Sequence, residues 1–192
     1  MPEGIADPLQ ALARTTFPAA LVPAACARWL GLLASLAALW GSCFGFDRSL
    51  ARGKTVTMSS VCQTRPRNSP FPAEPARLVD GSKWREYDAC TSTEHQPWIA
   101  VDLGAPRRIE EVVVTGRRDC CWGYRDLPLV LELADGAGAF HEVTRRESPF
   151  SDREPWRIRL PGVLGRQLRL RVASEQAAKI VLTEIEVFGS RD

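Results

Sequence analysis

Ile99-Ala100-Val101-Asp102-Leu103, then Gly104-Ala105-Pro106, then Ile109-Glu110-Glu111-Val112-Val113-Val114-Thr115 ahead of Gly116, is the stretch that decides the fold. Apolar side chains at every second position line up on one side only if the backbone is extended, because successive Cβ atoms of a strand point to opposite faces. The same pattern returns in Leu129-Val130-Leu131-Glu132-Leu133 before Ala134-Asp135-Gly136, and in Trp156-Arg157-Ile158-Arg159-Leu160 before Pro161-Gly162. It closes the chain in Gln167-Leu168-Arg169-Leu170-Arg171-Val172 and in the run from Lys179 to Phe188. Short alternating runs bounded by Gly, Pro and Asp predict half-buried strands joined by turns. From Leu50 onward no stretch holds a helical period, so the expected class is an all-β sandwich or barrel. Between Gln63 and Pro75, Arg65-Pro66-Arg67-Asn68-Ser69-Pro70-Phe71-Pro72 reads as an exposed loop, since proline brings no donor to a ladder.

The chain has 192 residues, room for one ordinary domain and an appendage. Its 25 basic and 23 acidic residues are interspersed, net +2, with no stripe to track a phosphate backbone, which argues against nucleic acid as a partner. The boundary falls at residue 46. Residues 29–46 are uncharged and approach the ~20 residues of a bilayer crossing, predicting a hydrophobic helix ahead of the domain formed by residues 47–192. Arg14 and Arg28 precede it, so the domain beyond it is exported. A cleaved signal peptide centred on Leu30 to Leu39, an uncleaved membrane anchor, lipidation at Cys43 and a buried core helix are the competing readings. The domain is then secreted or membrane-anchored at the cell surface. Six cysteines agree with an oxidising compartment if the four after residue 47 pair.

Arg117-Arg118-Asp119-Cys120-Cys121-Trp122-Gly123 places two thiols side by side. Oxidised to each other they close almost no loop, so the effect is local stiffness rather than chain entropy. Arginines, an aspartate, sulfur and indole together suit a sugar, with polar groups for hydroxyls and soft apolar surface for C–H faces. The alternative is a pair of unrelated buried thiols.

Six phrases in order, Leu50 to Ser60, Leu78-Val79-Asp80-Gly81-Ser82, Pro97 to Gly104, Ile109 to Val114, the Arg117 to Cys121 segment and Leu182 to Gly189, resemble the discoidin family, the coagulation factor 5/8 type C domain. Arg117 to Cys121 resembles its fucose-binding F-type lectin branch. The resemblance implies a discoidin-like antiparallel β-sandwich of jelly-roll type and a rim site for a fucose-like glycan. It assigns Arg117 and Asp119 to sugar contacts and Cys120-Cys121 to the vicinal disulfide beneath the sugar. A histidine is expected directly after Cys90-Thr91, where this chain has Ser92 and carries His95 further on. Tyr124 stands at an expected basic position, with Arg125 next to it. His95 also reads as a solvated loop residue, and Arg117, Arg118 and Arg125 as surface charges balancing Asp119 and Asp126.

The resemblance further implies a calcium site at Arg77 to Ser82 and Thr183-Glu184. Asp80 and Glu184 would give carboxylates, with Arg77, Ser82, Asp88 and Thr183 giving carbonyls or side chains. The plain alternative is a turn at Asp80-Gly81 and a solvated Glu184. Cys62 pairs with Cys90, or Cys62 with Cys120 and Cys90 with Cys121. Trp98 and Trp156 are expected in the core, Trp84 and Trp122 in loops that can stack on a ligand. No nucleophile elbow, phosphate loop or zinc pattern occurs, so a non-catalytic binding module is expected. The alternative to a glycan module is an adhesion or structural module contacting protein or lipid without sugar.

Overall fold

Extended segments at Thr55–Met58 (β1), Ala89–Cys90 (β2), Glu94–His95 (β3), Trp98–Gly116 (β4), Leu129–Ala134 (β5), His141–Arg146 (β6), Trp156–Val172 (β7), Ala177–Ala178 (β8) and Val181–Gly189 (β9) make up most of the described chain. The computed structural model describes residues 48–63, 72–118, 126–136 and 138–190. The hydrophobic helix expected within the first 46 residues lies outside them. Among the described residues no helix is long and apolar enough to cross a membrane.

The strands pair antiparallel in the order β2-β9-β4-β7-β5-β6, with β1 added to β4 and a separate β3-β8 pair. Two strands are longer than the sequence pattern predicts. Gly104-Ala105-Pro106 and Pro161-Gly162 read as turns, yet β4 and β7 run through them. Gly104 (φ +86°) and Gly162 (φ +76°) absorb the bend by taking a conformation open to glycine. The β4-β7 register shifts between Asp102 and Arg107, marking the bulge at which each strand turns a corner. One half of β4 then pairs with β1 and the C-terminal part of β7, the other with β9. Both halves share one core.

Ile99, Val101 and Leu103 before the bulge and Ile109, Val112 and Val114 after it are fully buried in a single cluster with Leu129, Leu131, Leu168, Leu170, Ile185 and Val187. Each such side chain contributes roughly 1.5–3 kcal/mol through burial. Trp156 joins them, as expected, but Trp98 does not. The alternation that sends Ile99 inward sends Trp98 outward, where it is half-buried. Strand β6, His-Glu-Val-Thr-Arg-Arg, was not legible as a strand because an edge position needs little apolar surface.

Where the domain starts and stops, the chain meets itself. Leu50 N–H donates to Val187 O at 2.7 Å and Val187 N–H to Ser49 Oγ at 3.0 Å. Gly189 lies so close to the Arg108 carbonyl that an added Cβ would overlap backbone atoms. Gly189→Ala is therefore expected to cost about 1–3 kcal/mol, read as a shift of the urea midpoint at constant slope.

Candidate functional site

The end of the sandwich where β4 stops is built on the backbone of residues 177–182. Cys90 pairs with Val181 and Ala89 with Leu182. Thr91 N–H donates to Ile180 O at 2.9 Å, and its Oγ1 accepts from Ile180 N–H at 2.9 Å. Gly116, the last residue of β4, pairs with Leu182, and Thr183 Oγ1 donates to the Gly116 carbonyl at 2.8 Å. Arg117 is thereby delivered to the rim of this end.

Its guanidinium donates to Glu86 Oε1 at 3.0 Å and lies 5.1 Å from the ring centre of Tyr87. Arg118 N–H donates to Glu86 O at 2.8 Å, so the backbone and side chain of one residue hold two arginines. The Glu86 side chain is 6% exposed and that of Arg117 29%, giving a cation seated on the fold with one edge toward solvent. Tyr87 packs with Cys62, Ala73, Cys90 and Val181 in a small cluster of its own. Cys62 and Cys90 form a disulfide within it, with a Cα–Cα distance of 5.4 Å, and Cys62 N–H donates to Cys90 O at 2.8 Å. Of the two pairings open from sequence, this is the one the structure has.

His95 borders the same 177–182 run through its pairing with Ala177. It is exposed, and its Nδ1 lies 3.0 Å from the Glu175 carbonyl; since a carbonyl only accepts, Nδ1 carries the proton. Gln96, next in sequence, has φ +47°, a backbone that a non-glycine residue keeps only when its surroundings hold it. Ser59 does that: its Oγ donates to Glu94 Oε1 at 2.5 Å and accepts from Trp98 N–H at 3.0 Å, clamping both sides of Gln96. Ser60 Oγ adds a second bond to Glu94 Oε1 at 2.7 Å.

Asp119, Cys120, Cys121, Trp122 and Arg125 lie outside the described residues. The residues on either side of them are placed. Arg117 and Arg118 hold Glu86, and Asp126, beyond the segment, accepts a hydrogen bond from the backbone of Lys179. Burial raises the Asp126 carboxyl, and the Lys179 hydrogen bond and charge oppose it. Trp84, by contrast, is 52% exposed, with the Arg85 guanidinium 4.9 Å from its ring centre.

The acidic residues proposed for calcium are brought together behind this rim. Val79 ends a one-turn 3-10 helix, Pro75–Val79, and Gly81 (φ +80°) turns its N–H onto Glu184 Oε1 at 3.0 Å. Ser82 N–H donates to Asp80 Oδ1 at 2.7 Å. Glu184 is not solvated: it is 1% exposed, as is Asp88. Arg77 turns its side chain to Glu74 at 3.3 Å, while its carbonyl faces Asp80 N. Sequence reasoning missed Arg85, which donates to Asp88 Oδ1 and to Asp80 Oδ2, the latter at 3.0 Å. Charged residues are rarely buried, and nothing in Lys83-Trp84-Arg85-Glu86 marks which cation goes in.

Ser82 Oγ, Asp88 Oδ2 and Glu184 Oε2 are buried with no protein partner, as is Arg85 Nε. Burial pushes Glu184 up to about 8, with the Gly81 hydrogen bond opposing, and Asp88 up to about 6, with Arg85 opposing. Orphaned carboxylate and hydroxyl oxygens are the donors a hard cation takes. Arg85 already supplies one positive charge to two of the three carboxylates, and among the described residues no three acidic groups converge on one point. The free oxygens of Asp88, Glu184 and Ser82 are of the type calcium takes, and these residues would be the ones to hold it. Arg85 already neutralises Asp88 through its other oxygen, Oδ1, and Asp80 through Oδ2.

The comparisons agree with this geometry at the level of the fold. A family model of the F5/F8 type C group, described as a NedA-like, galactose-binding domain, matches residues 77–170. The fold is that of a discoidin-like β-sandwich, and the part of it from residue 77 to residue 170 is similar to the F5/F8 type C group. The structure is similar to the lectin domain of lectinolysin complexed with Lewis B antigen, with 23% identity and a TM-score of 0.58 over 74% of this chain and 96% of that one. It is also similar to a Streptococcus pneumoniae fucose binding module, with 20% identity and a TM-score of 0.60 over 76% and 98%. A fucolectin from striped bass (Morone saxatilis) serum aligns at 19% identity and a TM-score of 0.57, over 75% of this chain and 49% of that one. No curated protein matches the sequence.

Proposed function

We propose that the domain is an exported, non-catalytic module that binds a fucose-like glycan at the rim carrying Arg117. The observation that carries this reading is the guanidinium of Arg117, held between Glu86 and Tyr87 with an edge toward solvent. A planar group fixed in advance offers its donors to ring hydroxyls at little entropic cost. Asp119 and the stiff Cys120-Cys121 pair would stand next to it in the chain, with His95, Trp122 and Arg125 at the margins. The Lewis B and fucose ligands of the similar structures support a sugar rather than a protein or lipid surface. The Cys62–Cys90 bridge supports an oxidising, extracytoplasmic setting, with residues 29–46 as the exporting or anchoring segment. Calcium at Asp88, Glu184 and Ser82 would neutralise the carboxylates beneath the rim and stiffen it from behind.

The test is a glycan array probed with the full chain, with and without calcium, alongside Arg117→Ala and Arg117→Lys. Losing a hydrogen-bonded guanidinium costs about 1.5–3 kcal/mol, so Arg117→Ala is expected to weaken fucosylated ligands about 10- to 100-fold, and lysine to recover only part of this. Melting curves of both variants separate a lost contact from a lost fold. Absence of glycan binding in both calcium conditions sinks the reading and leaves an adhesion or structural module.

A further inference from the structure

The outward face of the sheet formed by β1, β4 and β7 is not flat. Register places Thr57 opposite Ala100, Ala100 opposite Arg169 and Asp102 opposite Gln167, all on the side away from the core. Ala100 is a small residue between larger ones, which leaves a trough. Trp98 and Phe140, the latter from the segment before β6, supply its aromatic walls. The resulting cavity is about 290 Å³, at the lower limit of the roughly 300–1,000 Å³ of small-molecule sites.

The charges in this trough are matched internally. Asp102 takes a two-pronged bond from Arg166 at 2.9 and 3.0 Å and accepts from the Gln167 side chain. Arg169 donates to Glu132 at 2.6 Å while its guanidinium lies 4.1 Å from the Phe140 ring centre. Glu132 is 5% exposed, and Arg171 completes its neutralisation at 3.1 Å. A charged ligand would gain nothing here that does not cost an existing ion pair. A neutral ligand with apolar faces and many hydroxyls gains from both kinds of surface: indole and phenyl flanks for C–H, a threonine hydroxyl and an amide for O–H.

We infer that the trough on the β1-β4-β7 face is a second carbohydrate-binding groove, taking a neutral sugar ring against Trp98 and Phe140 with Gln167 and Thr57 as hydrogen-bonding partners. It shares no residue with the Arg117 rim, so each site stands or falls by itself. Two sites on different faces of one small module would let a single chain grip a branched or repeated glycan at two points.

The test tracks the indole N–H resonance of Trp98, assigned with Trp98→Phe, in the 15N-labelled full chain. L-fucose, D-galactose, N-acetyl-D-glucosamine and cellotetraose are titrated in turn. At least one is expected to move this resonance saturably, with affinity falling about tenfold in Thr57→Arg, which fills the trough, and in Gln167→Ala, which removes the amide. The response should persist in Arg117→Ala. A resonance that no probe moves, a response indifferent to both groove variants, or one lost in a folded Arg117→Ala would each overturn the groove. Array binding that survives Arg117→Ala while Trp98 still responds would instead remove the rim reading and keep the groove.

Discussion

Glu184→Gln is expected to abolish most of the loss of stability that the native chain suffers between mildly acidic and mildly alkaline pH in the presence of a chelator. Glu184 is 1% exposed, with one carboxylate oxygen on Gly81 N–H at 3.0 Å and the other without a protein partner. Burial is the main cause of its rise from 4.5 to about 8, and the charges of Asp80 and Glu186 add to it. A carboxyl that holds its proton more tightly when folded than when unfolded stabilises the fold in its protonated form. That contribution is complete below the unfolded value of 4.5 and disappears as pH rises through about 8. Asp88 acts in the same direction over a lower window, from 3.8 to about 6. Every tenfold gain in proton affinity on folding is worth about 1.4 kcal/mol, so the two groups together make a slope of several kcal/mol. Glutamine keeps the shape and cannot ionise. Urea unfolding at intervals from about pH 5 to about pH 8.5 measures both proteins, and a native slope that survives undiminished in Glu184→Gln refutes the assignment. Added calcium should oppose the alkaline loss, because a metal takes the deprotonated carboxylate.

Opening the Cys62–Cys90 bridge is the second large effect. The two cysteines are 28 residues apart, and freeing a loop of that length returns about 3.6 kcal/mol of entropy to the unfolded chain. For a domain of this size that is a fall in melting temperature of about 10 °C. The loss is not confined to the loop. Both sulfurs sit in the cluster with Ala73, Tyr87 and Val181, and Tyr87 is the surface against which Arg117 rests. A Cys62→Ser/Cys90→Ser double variant should therefore lose glycan affinity along with stability, and reductant should lower the melting temperature of the native chain but not of the variant. A double variant that melts with the native chain would contradict the bridge.

Most of the sandwich was legible because it rests on a local signal. The inward positions of β4, β5, β7 and β9 alternate with the outward ones, and the buried cluster matches that alternation closely. What period-2 pattern does not carry is continuity. Gly104 and Gly162 look like turn residues whether the chain reverses or merely bends, and only the pairing partner on the next strand decides between them. The same limit applied to Trp98: its size suggested the core, while its phase placed it outside.

The candidate site divides along similar lines. Arg117, His95, Asp80, Ser82, Asp88 and Glu184 were singled out from residue type and resemblance, and all lie around or behind one end of the sandwich. Arg85 and Glu86 were not found. Their burial depends on partners far along the chain or hidden in the same loop, Glu86 on Arg117 and Arg85 on the Asp80-Asp88 pair. Buried ion pairs give no periodic mark, because what makes a charge tolerable indoors is its opposite number and not its neighbours in sequence.

Ser49 and Leu50 are bonded to Val187, whereas the opposite terminus of β9 meets Cys90 at the end that carries Arg117. Entrance and exit thus form a single stalk, some 20–25 Å along that strand from the loops beside Arg117. Spliced into a surface turn of a carrier enzyme or display scaffold, the sandwich would hold its host's cut ends in register while keeping its working face outermost.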